Sequence, residues 1–328
     1  MIHISTVSRA VSTIGVMVAF LAGLALAPAQ AQVSCSATST TINFGDINPF
    51  GTANLALGGS VTASCSNSSS TSISTAMCLE VGTGSGGTFG ANRAIQSASA
   101  QQLPIQIYSP AGAATQVGDG LTWPYAGPRS IVLPAGGSAS VTFPFSVVLL
   151  APASGSPSPG TFSSTFTGLG FNLFGSLSGQ TTCSMISGAD RFDAPGTLTV
   201  QARVLATCTV AATPLNFGSV SLLTSPVTTT ATLTLRCNAA IPVTVSMNDG
   251  TIGGGTTNRR MESPAGNRII YDIFRDVAFS QRWSTGGSAL SLTSVAGSRS
   301  IPVYGRVPVQ TSRPPGTYQD TIIVTATY

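Results

Sequence analysis

Apolar and polar residues alternate along most of the chain, and no stretch beyond residue 31 carries the spacing of an amphipathic helix. In the C-terminal part the alternation picks out Thr230–Cys237, Pro242–Met247, Ile269–Phe274, Ser300–Val307 and Thr317–Tyr328. In the N-terminal part it picks out Ser60–Cys65, Ile73–Val81, Leu103–Tyr108, Ala139–Leu150 and Gly160–Phe171. Gly- and Pro-rich turns separate these runs, which are rich in Val, Ile, Thr and Phe. Such short strands predict an all-β protein built from antiparallel sandwiches of immunoglobulin-like type.

The pattern occurs twice. Cys35 precedes Ile42-Asn43-Phe44-Gly45 as Cys208 precedes Leu215-Asn216-Phe217-Gly218, and the next cysteines are Cys65 and Cys237. Near the far end of each copy, Pro159-Gly160-Thr161-Phe162 with Thr165 matches Pro315-Gly316-Thr317-Tyr318 with Thr321. Matches at both ends identify a duplication. Two domains are therefore expected, residues 32–196 and 197–328. The duplication pairs Cys35 with Cys65 and Cys208 with Cys237, and leaves Cys78 with Cys183.

The last alternating run places Ile322, Val324, Ala326 and Tyr328 on one side, and the sequence stops at Tyr328. A sandwich of this type needs one more strand beside that one, so the second domain is expected to be incomplete, with an open groove and an unpaired edge. The segment at 197–206 has the character of a strand that could fill such a groove. Leu198, Val200, Ala202 and Val204 point one way, and Thr199, Gln201 and Arg203 the other. It reads either as an ordinary first strand of domain two or as a donor strand. Only Gln32-Val33-Ser34 stand between residue 31 and Cys35, so domain one has no such segment to give. Its nearest donor is Leu198–Val204 of the same chain, which predicts two incomplete sandwiches completed by donor strands. A unit that receives a strand and gives none belongs at one end of a row of subunits.

Composition narrows the function. Arg9, the apolar run Val11–Ala27 and Ala29-Gln30-Ala31 form a signal peptide, residues 1–31, so export is expected. The six cysteines then read as disulfides. The one histidine, His3, lies in the leader, which removes a histidine base or metal ligand. Neither Gly84-x-Gly86-Gly87 nor Gly253-Gly254-Gly255 has a strand-to-helix context for phosphate. No cofactor, metal or catalytic residue is expected. Domain one has three arginines against five acids, and domain two ten against five. The arginines are scattered, which speaks against nucleic acid as a partner.

The cysteine–Phe-Gly opening, the second cysteine about thirty residues on and the closing Pro-Gly-Thr-Tyr-x-x-Thr-Ile-x-Val-Thr-x-x-Tyr resemble the spore coat protein U (SCPU) domain. The likeness is close over Thr197–Tyr328 and looser over Gln32–Asn172. It implies an incomplete pilin held by a periplasmic chaperone, passed to an outer-membrane usher and joined to an adjacent subunit by donor-strand exchange. Two-domain members resemble tip adhesins of archaic, Csu-type pili, with roles in surface attachment and biofilm formation. The missing leading strand, the Cys78–Cys183 pair and an insertion around Leu173–Gly196 set domain one apart.

Loops Ser66–Ser72, Leu121–Ser138 and Leu173–Gly196 are expected at the outer pole of domain one. They carry Trp123, Pro124, Tyr125, Leu173, Phe174 and Leu177 as candidate adhesive residues, with Met185, Ile186 and Phe192 nearby. Two other roles fit the same residues. One is a non-adhesive adaptor or surface-coat subunit. The other is a secreted glycan-active enzyme using carboxylates such as Asp46 or Asp119, or the pairs Asp190/Asp193 and Asp272/Asp276, which would need a cleft.

Overall fold

The computed structural model describes residues 32–109, 115–151, 156–253, 258–293 and 297–328. The expected signal peptide lies outside the described residues. The first copy contains β1 (Val33–Ala37), β2 (Ser39–Ile47), β3 (Leu55–Asn67), β4 (Ile73–Val81), β5 (Thr88–Phe89) and β6 (Asn92–Ser97). It continues with β7 (Gln102–Tyr108), β8 (Ala126–Leu133), β9 (Ser138–Leu149), β10 (Gly160–Ser176) and β11 (Arg191–Val204). The second contains β12 (Cys208–Ala212), β13 (Val227–Cys237), β14 (Pro242–Met247), β15 (Arg259–Glu262), β16 (Arg268–Phe274), β17 (Leu290–Thr293), β18 (Gly297–Val307) and β19 (Val324–Thr327).

In the first copy one run of paired strands is β1-β3-β9-β7-β6, and the other is β2-β11-β10-β4-β8. The second copy repeats this as β12-β13-β18-β16-β15 and β17-β14-β19. The fold is thus all-β and immunoglobulin-like. Strands β2, β5 and β11 have no counterpart among the described strands of the second copy. The two copies enclose separate cores, one centred on residues such as Phe143, Phe162 and Val200, the other on Trp283, Leu233 and Val245.

The pattern finds β4 and β14 with the bounds read from it: β14 buries every second residue against its core, and β4 is buried at every position from Thr75 to Leu79. It misses β8 and the far ends of β10 and β11. Leu121–Ser138, expected as a loop, contains β8, which pairs with β4. Strand β8 lies at a sheet edge, where Gly127-Pro128-Arg129-Ser130 stay exposed and erase the period. Leu173–Gly196, also expected as a loop, is largely the far end of a β-hairpin. Register pairs Asn172↔Pro195 through Ser176↔Arg191 join β10 to β11, and two short 3-10 turns, Cys183–Met185 and Gly188–Asp190, connect them. Leu173 and Phe174 are both fully buried there. Leu173 faces the main core, and Phe174 a smaller cluster with Cys78, Cys183 and Ile186. Burial on both faces gives an apolar run rather than alternation. The expected division between residues 196 and 197 falls inside β11.

The structure contains the disulfides Cys35–Cys65, Cys78–Cys183 and Cys208–Cys237. Cys35 and Cys65 are register partners in β1 and β3, as are Cys208 and Cys237 in β12 and β13. Cys78–Cys183 instead ties the turn of the hairpin to β4.

Candidate functional site: an uncovered groove in the second copy

The two copies carry the same strand-forming residues in different surroundings. In the first, β11 lies antiparallel to β10 and parallel to β2, pairing Leu198 with Phe166 and Thr40, and Val200 with Ser164 and Ile42. Leu198, Val200, Ala202 and Val204 are all buried in the core. In the second, Leu215-Asn216-Phe217 repeats the pattern of Ile42-Asn43-Phe44, and Gly316–Ile323 that of Gly160–Thr167, yet neither is a regular strand. Strand β2 pairs only with β11, so without such a neighbour the equivalent residues have no ladder to join. The expected strand Thr317–Tyr328 is regular only over Val324–Thr327, where β14 lies alongside.

A groove runs where β11 would lie. It consists of two adjoining hollows of about 430 and 780 Å³ that share Leu215, Phe217, Met261 and Tyr318. Leu233, Val303, Ile322 and Val324 form apolar floor and wall of the first hollow. The equivalent residues of the two copies differ in exposure: Ile47 is 8% exposed and Val220 43%. A contiguous apolar hollow beside an unpaired strand edge is costly in water and fits an added strand.

One polar feature stands in this wall. Asp320 accepts hydrogen bonds from Tyr271 Oη (2.7 Å), Thr251 N (2.9 Å) and Ile252 N (3.3 Å). Burial, and then the bond to Asp320, push the Tyr271 hydroxyl well above the ordinary tyrosine range. Sequence reasoning missed Asp320 because it sits in an otherwise apolar alternation. It also missed a duplicated arginine. Arg93 donates to the carbonyls of Gly82, Val81 and Val117 and to Gln106 Oε1, and Arg259 to those of Asn248, Met247 and Trp283 and to Asp272 Oδ1. Both are fully buried. Desolvation lowers the Arg93 guanidinium to about 10, against the pull of Asp119. The equal spacing of Arg93/Gln106 and Arg259/Asp272 was a usable signal.

The candidate adhesive residues scatter. Trp123 is half-buried over the Arg93 guanidinium at 4.2 Å. Tyr125 stacks edge-on against Phe174 at 5.0 Å, and the Arg191 guanidinium sits over Phe174 at 4.0 Å. Leu173 and Phe174 are therefore core residues and not adhesive loop residues. Leu177 is half-buried against the core, and Pro124 is exposed. The apolar residues that stand in solvent near them are Leu121, 93% exposed, and Met185, 65% exposed. Tyr125 packs into the cluster of Phe174, Cys183 and Ile186, which brings the Leu121 turn beside the Met185 turn.

The carboxylates considered for catalysis have structural partners. Asp119 accepts from the amides of Leu121 and Thr122, and Asp190 from Ser176 Oγ and Ser178 N. Asp193 pairs with Arg191 and Asn172, and Asp272 with Arg259 and Arg282. Asp276 accepts from Ser280 and Gln281, and Asp46 lies 3.7 Å from Arg203.

Among curated proteins no relative matches the chain. Among solved structures the chain is similar to the CsuC-CsuE chaperone–tip adhesion subunit pre-assembly complex from archaic chaperone-usher Csu pili of Acinetobacter baumannii. That match has 19% identity and a TM-score of 0.47, and covers 90% of this chain and 100% of the other. The CupB6 tip adhesin from Pseudomonas aeruginosa is also similar, at 13% identity and a TM-score of 0.33, over 90% of this chain and 94% of the other. The Spore Coat Protein U domain matches residues 21–168 and 194–325. The gap between the matches, 169–193, holds the far end of the β10–β11 hairpin and Cys183. Matched over both copies, the chain belongs to the Spore Coat Protein U domain family.

Proposed function

We propose that the protein is an exported tip subunit of an archaic chaperone–usher pilus, whose second domain receives a strand from a periplasmic chaperone and then from the adjacent subunit. The observation that carries this reading is the groove bounded by Leu215–Phe217 and Tyr318–Val324, which is open where β11 covers the same face of the first copy. On this reading Leu198–Val204 is an internal donor, already used within the first copy. The first domain then extends through Val204.

The outward end follows from strand direction. Asn238 Nδ2 donates to the carbonyls of Pro157 and Leu205, so the junction of the copies lies at the Gly160 end of β10 and the Val204 end of β11. Both strands have their other ends at the turn carrying Met185, with the Leu121 turn beside it. We assign this far pole as the attachment surface, with Leu121 and Met185 as its apolar contacts. Surface attachment of this kind is the basis of biofilm formation.

Expression of the full chain in a periplasm with and without a pilus chaperone tests the assignment. A one-to-one complex with the chaperone, and loss of the protein without it, are expected. Abundant, monomeric, protease-resistant protein without a partner overturns it. Pili that assemble normally but attach equally well without this protein point to a non-adhesive adaptor.

A further inference from the structure

The joint between the two copies shows what one pole of such a module packs against. At the Val204 end of β11 the first copy presents Phe50, Ser156 and Pro157 to the second. The Arg236 guanidinium lies over the Phe50 ring at 5.0 Å and donates to Ser156 Oγ at 3.1 Å. Asn238 Nδ2 donates to the carbonyls of Pro157 at 3.0 Å and Leu205 at 2.9 Å, and Asn238 Oδ1 accepts from Thr207 N at 2.8 Å. The residues on either side of Cys237 thus hold both the body of the first copy and the connection that follows its closing strand.

The duplication places an equivalent pole at the other end of the second copy. Val307 pairs with Val227 as Leu149 pairs with Leu55, so Val309 answers to Ala151. Counted from the shared Phe-Gly, Leu222 and Leu223 answer to Pro49 and Phe50. The bond from Gln310 N to Leu223 O, at 3.2 Å, joins the segments that carry Val309 and Leu222. Pro49 is buried, whereas Leu222 is 61% exposed and Val309 58%. In the first copy β11 ends at Val204, opposite Ile47, and Ile47 answers to Val220. Leu222 therefore lies beyond the level at which an added strand ends, where the body of its owner begins.

We propose that Leu222 and Val309 form the docking surface for the folded body of the adjacent subunit, which packs on the second copy as the second copy packs on the first. This rests on the groove being a strand acceptor, as proposed above. The internal joint supplies the occupant: a module of the same fold, meeting the pole through the residues that flank its second cysteine. Its chemistry differs in one respect. Phe50 offers a ring face to the Arg236 cation, whereas its counterpart Leu223 and the exposed Leu222 and Val309 are aliphatic and offer none. The adjacent subunit accordingly carries an apolar residue where this chain carries Arg236. Removal of Leu222 and Val309 from water drives the contact.

Purified pili carrying the full chain, with photoreactive p-benzoylphenylalanine in place of Leu222 or Val309, test this. Tyr318, on the groove wall, is the reference position. After irradiation, peptide mapping is expected to join positions 222 and 309 to residues beside the second cysteine of the adjacent subunit, and position 318 to its leading strand. With Leu222→Asp added, the yield from position 309 is expected to fall at least threefold and that from position 318 to stay. An unchanged yield from position 309 overturns the apolar contact. Joining from position 318 alone, or of positions 222 and 309 only to the leading strand, overturns the body contact and leaves the groove as a strand acceptor. Absence of the protein from the pili, or no joining from any position, overturns both.

Discussion

Arg259 Nη1 donates to Asp272 Oδ1 at 2.7 Å across the β15–β16 hairpin, and the first copy repeats the contact with a neutral partner, Gln106, beneath Arg93. The other acceptors of the two guanidinium groups are equivalent backbone carbonyls. The first copy thus shows that an amide oxygen suffices at this position, where Trp123 also covers the cation. Asp272→Asn keeps an amide oxygen for Arg259 but loses the charged bond to Arg282, and is expected to cost about 1.5–3 kcal/mol. Asp272→Ala, which strands a buried cation, is expected to cost about 3–5 kcal/mol. Urea unfolding of the two variants in the chaperone complex checks this, and equal costs contradict it.

Val200→Asp places a carboxylate between Ser164 and Ile42 in the core of the first copy. An unpaired buried charge is strongly disfavoured, so the first copy should lose its resistance to proteolysis. The second copy should still bind its chaperone, because its groove contains none of these residues. An unchanged digestion pattern would show that β11 is not what closes the first core.

Cys78–Cys183 joins residues 105 apart in sequence. In the chain-entropy model a loop of that length is worth about 4–5 kcal/mol. Replacing both cysteines with Ala should lower the melting temperature of the first copy and expose the Cys183–Met185 turn to protease. Chaperone binding should persist. Melting curves with and without reductant, on the native and replaced chains, provide the measurement.

Leu121→Ser with Met185→Ser should weaken attachment to apolar surfaces while pili keep their length and number, since burial of apolar area contributes about 25 cal/mol per Å². Phe174→Ser should act differently. It removes the ring that packs against Tyr125 and Arg191, and should destabilise the hairpin by about 3 kcal/mol or more. Counting attached cells beside pili seen by electron microscopy separates the two effects. Normal attachment by the Leu121/Met185 variant contradicts an apolar far pole, and competition by soluble glycans would indicate a sugar site instead.

Hydroxyl bonds from Ser176 and Ser178, with the amides of Ser178 and Leu177, hold the Asp190 carboxyl below its usual value. A lowered folded-state pKa contributes stability above the unfolded value, and that contribution is lost as pH falls through the folded one. The hairpin turn should therefore stay protected at neutral pH and loosen only below the ordinary carboxylate range. Amide exchange at Ser178 against pH reads this out, and Asp190→Asn should exchange faster at neutral pH and lose the acid-dependent step.

The sequence by itself carried the duplication, the cysteine pairs that follow from it, and most core strands. Each of these is written in local spacing: Cys35 and Cys208 each precede a Phe-Gly, β14 alternates because it has one buried face, and β4 reads as an apolar run because Thr75–Leu79 are buried on both faces. It also set apart Leu198–Val204 as an amphipathic strand and pointed to domain one as its acceptor, but the same pattern would serve a first strand of domain two. Tertiary structure decided this, because burial of Val200 depends on Ser164 and Ile42, residues far away in the chain. It decided likewise that Phe174 is core and Leu121 is not, since a bulky apolar residue is written the same way in either place. The groove was decided at this level too. Ile42 and Leu215 are near-equivalent residues, and only the presence of β11 makes the first part of a strand and leaves the second on the wall of an open cleft.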